Sequence, residues 1–139
     1  MSKLAWISLL ATLATVPAIA ETAIPDLKGT WTGESESIVR GPGNQHHRAK
    51  ASAEPRLSSV KFTLTVDKQD GRRFSGKFSS ARGTETVIAV ISRSGQILLL
   101  DDDAYSIGTM LGSDKMDLCY LHQAPGVRVA SCTELTKQP

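Results

Sequence analysis

From residue 60 onward the chain alternates. Val60, Phe62, Leu64 and Val66 are apolar, while Lys61, Thr63, Thr65 and Asp67 between them are polar or charged. A period of two puts each set on its own face of an extended strand. The pattern returns at Arg73–Ser79, where Phe74, Gly76 and Phe78 oppose Arg73, Ser75 and Lys77. Turn chemistry cuts the runs apart, at Asp70-Gly71, Ser94-Gly95, Asp101–Asp103, Gly112–Asp114 and Pro125-Gly126. The spacing predicts eight strands, near residues 29–39, 60–67, 73–79, 85–92, 96–100, 104–111, 115–122 and 127–135. No segment after residue 20 has a helical period of useful length. Consecutive strands joined by short turns pair antiparallel. Eight of them, each with an apolar face, close into a barrel and so lose their exposed edges. The expected fold class is all-β, an eight-stranded antiparallel up-and-down barrel. A two-sheet β-sandwich produces the same strand spacing and is the alternative.

The first 20 of the 139 residues read differently. Lys3 precedes the apolar run Leu4–Val16, which is followed by Pro17 and Ala18-Ile19-Ala20. This is the charged, apolar and small-residue order of a secretory signal peptide, and the run is short for a membrane span. Residues 1–20 are therefore expected to be a cleaved signal, and residues 21–139 one β-barrel domain that is periplasmic or secreted and not membrane-spanning. Lys3 is the sole charge in the leader, so the remainder is nearly neutral. It lacks the basic field that nucleic-acid binding requires.

The two cysteines, Cys119 and Cys132, both follow the leader. In an exported chain they are expected to form a disulfide. If residue 119 faces 132, the hairpin is centred between Pro125 and Gly126, where the turn signal stands. The bridge then lies on the outer face, opposite Met116, Leu118 and Tyr120. The same register sets Asp117 against Glu134, a like-charge pair.

One connection is long. Residues 40–59 are rich in Gly, Pro, Ser and Ala and carry Arg40, His46, His47, Arg48, Lys50 and Arg56. They read as a mobile surface loop. Strand count gathers this loop, Arg82, Asp101, Asp103 and His122 at one end of the barrel. That end is either the rim of a ligand mouth or a solvated set of loop tips. Adjacent histidines point apart and no spaced ligand motif is present, so no metal and no other cofactor is expected. No nucleophile elbow, zinc-protease or phosphate-loop motif appears, so the chain is not expected to be an enzyme. Trp31, Phe62, Leu64, Phe74, Phe78 and Tyr120 form the inward set, either lining a cavity or filling the barrel.

Gly29-Thr30-Trp31 at the head of the first strand, followed by a strand meander, resembles the lipocalins and the wider calycin group. The resemblance implies a Trp near the closed end, a ligand cavity, and a long first loop over the mouth. It also implies a basic residue packed on the Trp. Arg128 begins the last strand and so lies at the other end, while Lys137 is nearer but almost terminal. The chain is shorter than a typical lipocalin, and its size is more similar to a secreted bacterial family of barrel-shaped protease inhibitors. The expected function is non-catalytic binding of a small apolar or amphipathic ligand. The alternative is interaction with a periplasmic protein, as an inhibitor would, through the 40–59 loop.

Overall fold

The computed structural model describes residues 23–48 and 50–139. The leader expected at residues 1–20 lies outside the described residues. Nine strands follow in order: β1 (Gly29–Arg40), β2 (Arg56–Ser58), β3 (Lys61–Asp70), β4 (Arg73–Ser80), β5 (Gly83–Ile91), β6 (Ile97–Leu100), β7 (Tyr105–Met110), β8 (Lys115–Ala124) and β9 (Val127–Lys137). Every neighbouring pair from β3 to β9 is antiparallel. β1 pairs with β3 on one side and with β9 on the other, which closes the barrel. The closure excludes the sandwich.

β2 is the strand absent from the sequence expectation. It pairs with the same side of β1 as β3 does, Ser37 with Ser58 and Val39 with Arg56. β2 and β3 thus form one interrupted strand. At the break the Ser35 amide donates to the Val60 carbonyl, and the Val60 amide to Ser35 Oγ. A register shift between Val66 and Lys68 carries β3 on to Asp70, so the hairpin turns one residue later than Asp70-Gly71 suggests, on Gly71 and Arg72. β1 serves both neighbours, and its ladder to β9 is interrupted at Gly33 and Glu34. A Cβ at Gly33 would come within 2.1 Å of the Glu134 carbonyl oxygen, so only glycine fits.

The interior has two apolar layers. The larger runs from Leu27, Trp31, Leu64, Phe74, Ile91, Ile97, Met116 and Leu135 at the end where the chain begins up to Phe62 and Phe78 beneath the long loop. The smaller, Val39, Tyr120 and Val129, lies toward the long loop. Buried polar side chains fill the same half, with Ser37 Oγ 3.0 Å from Ser35 Oγ and 2.7 Å from Ser131 Oγ. The floor is packed by its own residues, with Trp31 completely buried. Its indole N–H donates to the Leu27 carbonyl at 2.8 Å, and Lys137 Nζ sits 5.4 Å from its ring centre. Lys137 is therefore the basic residue on the Trp, and Arg128 is not.

Cys119 and Cys132 are disulfide-bonded partners on β8 and β9. Asp117 does face Glu134, and Lys115 Nζ relieves the repulsion at 2.9 Å from Glu134 Oε1. Reducing the bridge, or the double replacement Cys119→Ser/Cys132→Ser, is expected to cost about 3 kcal/mol in the loop-closure picture. Urea denaturation with and without reductant checks it. An unchanged midpoint would mean that the hairpin hydrogen bonds alone hold this corner.

Candidate functional site

The expectation of a mobile loop at 40–59 is corrected by the structure. Residues 44–47 fold back into the barrel mouth, with Asn44, His46 and His47 buried, while Lys50, Ala51 and Ala53–Pro55 stay exposed as expected. The cause is local. Gly43 adopts a φ of +77° that permits a tight reversal, with the His47 carbonyl oxygen 2.1 Å from where a Cβ would stand. The Asn44 side-chain oxygen then accepts the His47 amide at 3.0 Å. The reversal turns both histidine rings inward, although sequence adjacency suggested that they would point apart. His46 lies edge-on to Phe62, with ring centres 5.3 Å apart, and His47 tilts over the same ring at 5.8 Å. Phe62 stacks on Phe78 at 4.7 Å.

Polar contacts fasten the loop to three walls. His46 Nδ1 is 2.7 Å from Ser80 Oγ on β4, and its Nε2 is 3.0 Å from Glu85 Oε2 on β5. Arg82, in the turn between these strands, donates from Nη1 to the carbonyls of His46 and Arg48 at 3.0 and 2.8 Å. Across the mouth, Asn44 Nδ2 donates to Tyr120 Oη at 2.6 Å, and Tyr120 Oη donates to Asp103 Oδ1 at 3.2 Å. Three contacts hold the loop's own ends: Arg40 Nε with the Ala53 carbonyl, Arg56 Nη1 with the Gly41 carbonyl, and the Gly41 amide with the Ser52 carbonyl.

The serine, histidine and glutamate row invites comparison with a hydrolytic triad. Its geometry describes a clasp. Both ring nitrogens of His46 are used by neighbours that hold the loop, and Ser80 Oγ also accepts the Arg82 amide at 3.1 Å. The ring is buried beneath the loop that carries it.

Two ring nitrogens have no hydrogen-bond partner although they are buried: His47 Nδ1 and His122 Nδ1. His122 Nδ1 lies 3.4 Å from Asp103 Oδ1, near enough for attraction but outside hydrogen-bond geometry. The electrostatics of the mouth share one direction. His47 is pushed down from 6.5 to about 4, first by burial and then by His46 and Arg82. Glu85 is held above its ordinary value chiefly by burial, opposed by its bond to His46. Asp101 is raised, again chiefly by burial, and the Tyr120 hydroxyl is raised by burial and by Asp103 and Asp101. One base, His47, is lowered and Glu85, Asp101 and Tyr120 are raised, in each case chiefly by burial, so these positions in the mouth penalise charge of either sign.

The expected site residues therefore divide. His46, His47, Arg82, Asp101, Asp103, Tyr120 and His122 come together at the mouth, joined by Phe62 and Phe78 beneath. Arg40 and Arg48 are exposed and serve the loop through backbone contacts. Trp31, Leu64 and Phe74 belong to the packed floor. Asn44, Ser80 and Glu85 were not singled out from the sequence. Glu85 carried a signal, as a charged residue at an inward position of the strand Glu85–Ser92. Among the described residues, no three His, Cys, Asp or Glu side chains converge as metal ligands.

No protein-family model matches the chain, and no curated protein matches it. Among solved structures it is similar to an S-type phycobiliprotein lyase from Guillardia theta, at 14% identity and a TM-score of 0.47, over 81% of this chain and 89% of that one.

Proposed function

We propose that this protein is an exported, non-catalytic binding barrel that takes a small amphipathic molecule at its mouth. The observation that carries the reading is the buried His47 ring, with Nδ1 unpaired, set between an aromatic pair and a polar wall. An unpaired buried polar group costs about 1–3 kcal/mol, and a ligand hydroxyl or amide would recover it. The apolar part of the ligand would lie on Phe62 and Phe78, in the place the His46 ring occupies when the loop is seated, with His47 bonded to its polar end. Because the mouth penalises both signs of charge, the polar end it accepts is neutral. The Cys119–Cys132 disulfide and the signal-like leader support export. The inhibitor reading needs a loop that projects, and the centre of this one, Asn44, His46 and His47, is folded inward.

The seated loop competes with the ligand, so apparent affinity scales with the open fraction. Decanol, decanoate and decyltrimethylammonium, titrated while following His47, Tyr120 and His122 by NMR, test the charge rule. Decanol is expected to shift all three resonances, and the charged analogues to bind at least about tenfold more weakly. Arg82→Ala loosens the clasp and is expected to tighten decanol binding. If decanol leaves the three resonances unmoved in both proteins, the reading fails.

A further inference from the structure

The outside of the barrel is not uniform. On β1, β3 and β4 the outward positions include Glu34, Glu36, Lys61, Thr63, Thr65 and Lys77. On β5, β6 and β7 they include Ile88, Val90, Leu98, Leu100, Tyr105 and Ile107, each between 38% and 59% exposed, with Thr84, Thr86 and Thr109 at the ends of the row. The register sets these side by side: Val90 with Leu98, Ile88 with Leu100, Leu98 with Ile107, Leu100 with Tyr105. Leu121 on β8 extends the row, opposite Tyr105. No charge interrupts it. The stretches Val87–Ile91 of β5 and Ile97–Leu100 of β6 are apolar on both faces, whereas a wall with a wet outer side alternates. The exposed apolar area is about 600 Å², at the upper limit for the largest patch on a typical monomer.

We infer that this face is covered by a second copy of the same chain, in an isologous two-fold dimer. Three observations favour a copy over another occupant. The first is area. Two such faces bury about 1,200 Å² together, at the threshold of a specific protein interface. The second is shape. Sheets pack face to face either aligned or orthogonally, and two twisted sheets that cross at about 90° meet along one diagonal of the face. The third is charge. Lys68 and Arg73, the latter ion-paired with Asp70, flank the face where β3 ends and β4 begins and leave it net positive, and Asp101–Asp103 flank the diagonally opposite corner between β6 and β7. A two-fold axis in the plane of the face, at 45° to the strands, produces the right-angle crossing. One choice of diagonal lays the basic corner of each copy over the acidic corner of the other. The opposite choice sets like on like, so charge selects the arrangement. This dimer uses the outer wall and leaves the mouth, and the reading proposed for it, untouched.

Sedimentation equilibrium of the protein recovered from cells expressing the full chain is expected to give twice the chain mass at tens of micromolar. Leu98→Lys is expected to give a monomer with unchanged circular dichroism and an intact Cys119–Cys132 bridge. Because that position is outward, folding should tolerate it, and Lys77→Glu on the polar wall serves as the control that stays dimeric. Arg73→Asp and Asp102→Arg are each expected to weaken the dimer about tenfold, and their combination to restore it. A wild-type monomer at 100 µM (about the highest concentration that tests such an interface) overturns the proposal. So does a dimer that survives Leu98→Lys. A wild-type monomer that instead floats with phosphatidylcholine–phosphatidylglycerol vesicles also overturns it, and would give the face to a lipid surface.

Discussion

Replacing Trp31 by alanine is expected to lower stability by about 3–5 kcal/mol, as large-to-small changes of buried aromatics do. The indole is fully buried against Leu27, Leu64 and Leu135, and its N–H is bonded to the Leu27 carbonyl. Alanine would leave a void that the closed strands on both sides of β1 cannot collapse to fill, and would strand the Leu27 carbonyl. The melting temperature should fall by more than about 10 °C for a domain of this size. Trp31→Phe keeps most of the volume and should cost less. Lys137→Ala, which removes the cation beside the ring at the surface, should cost under about 1 kcal/mol. Thermal and urea unfolding check all three. A cost below about 1 kcal/mol for Trp31→Ala would mean a slack floor and would return the large cavity to consideration.

The second large effect is on pH. His47 titrates near its ordinary 6.5 when unfolded and near about 4 in the folded protein. A base whose folded value is depressed contributes stability above its unfolded value and loses it as pH falls toward the folded one. The window is therefore pH 6.5 down to about 4, with an upper limit of about 3 kcal/mol across it. Glu85 and Asp101 are raised and act with the opposite sign, gaining relative stability as they protonate. The diagnostic quantity is thus a difference. Between pH 7 and 4, His47→Gln should lose less stability than the wild type. The first motion should be release of residues 44–48, seen as loss of the Asn44–Tyr120 and His46–Glu85 contacts by NMR before the strands unfold. Equal pH slopes in the two proteins would remove His47 from this role.

How much of this was legible in advance can be judged residue by residue. The strand meander, the β8–β9 register and the outward disulfide follow from a period of two and from turn residues, which are local properties of the chain. The position of Lys137 over Trp31 was half legible, because chain order put Lys137 at the correct end and only contact decided between it and Arg128. The loop was misread. Its composition is that of a solvated segment, and nothing in Asn44-Gln45-His46-His47 announces burial. Its partners, Ser80, Arg82, Glu85 and Tyr120, are 32 or more residues away along the chain. Such contacts form only after the barrel has brought β4, β5 and β8 around one opening.

The apolar outer wall divides in the same way. The run Val87–Ile91 already showed apolar residues on both faces of one strand. That Ile88, Leu98, Leu100, Tyr105 and Ile107 merge into one face depended on the pairing of β5, β6 and β7. The sequence by itself determined the strands, their order and which side chains point inward, because alternation and short turns leave antiparallel neighbours little choice. The choice of the closed barrel over the sandwich, the need for glycine at position 33 and the inward fold of Asn44, His46 and His47 were decided by tertiary structure. Each rests on backbone and side-chain groups that are distant in the chain and become neighbours only when the sheet has curled into a barrel.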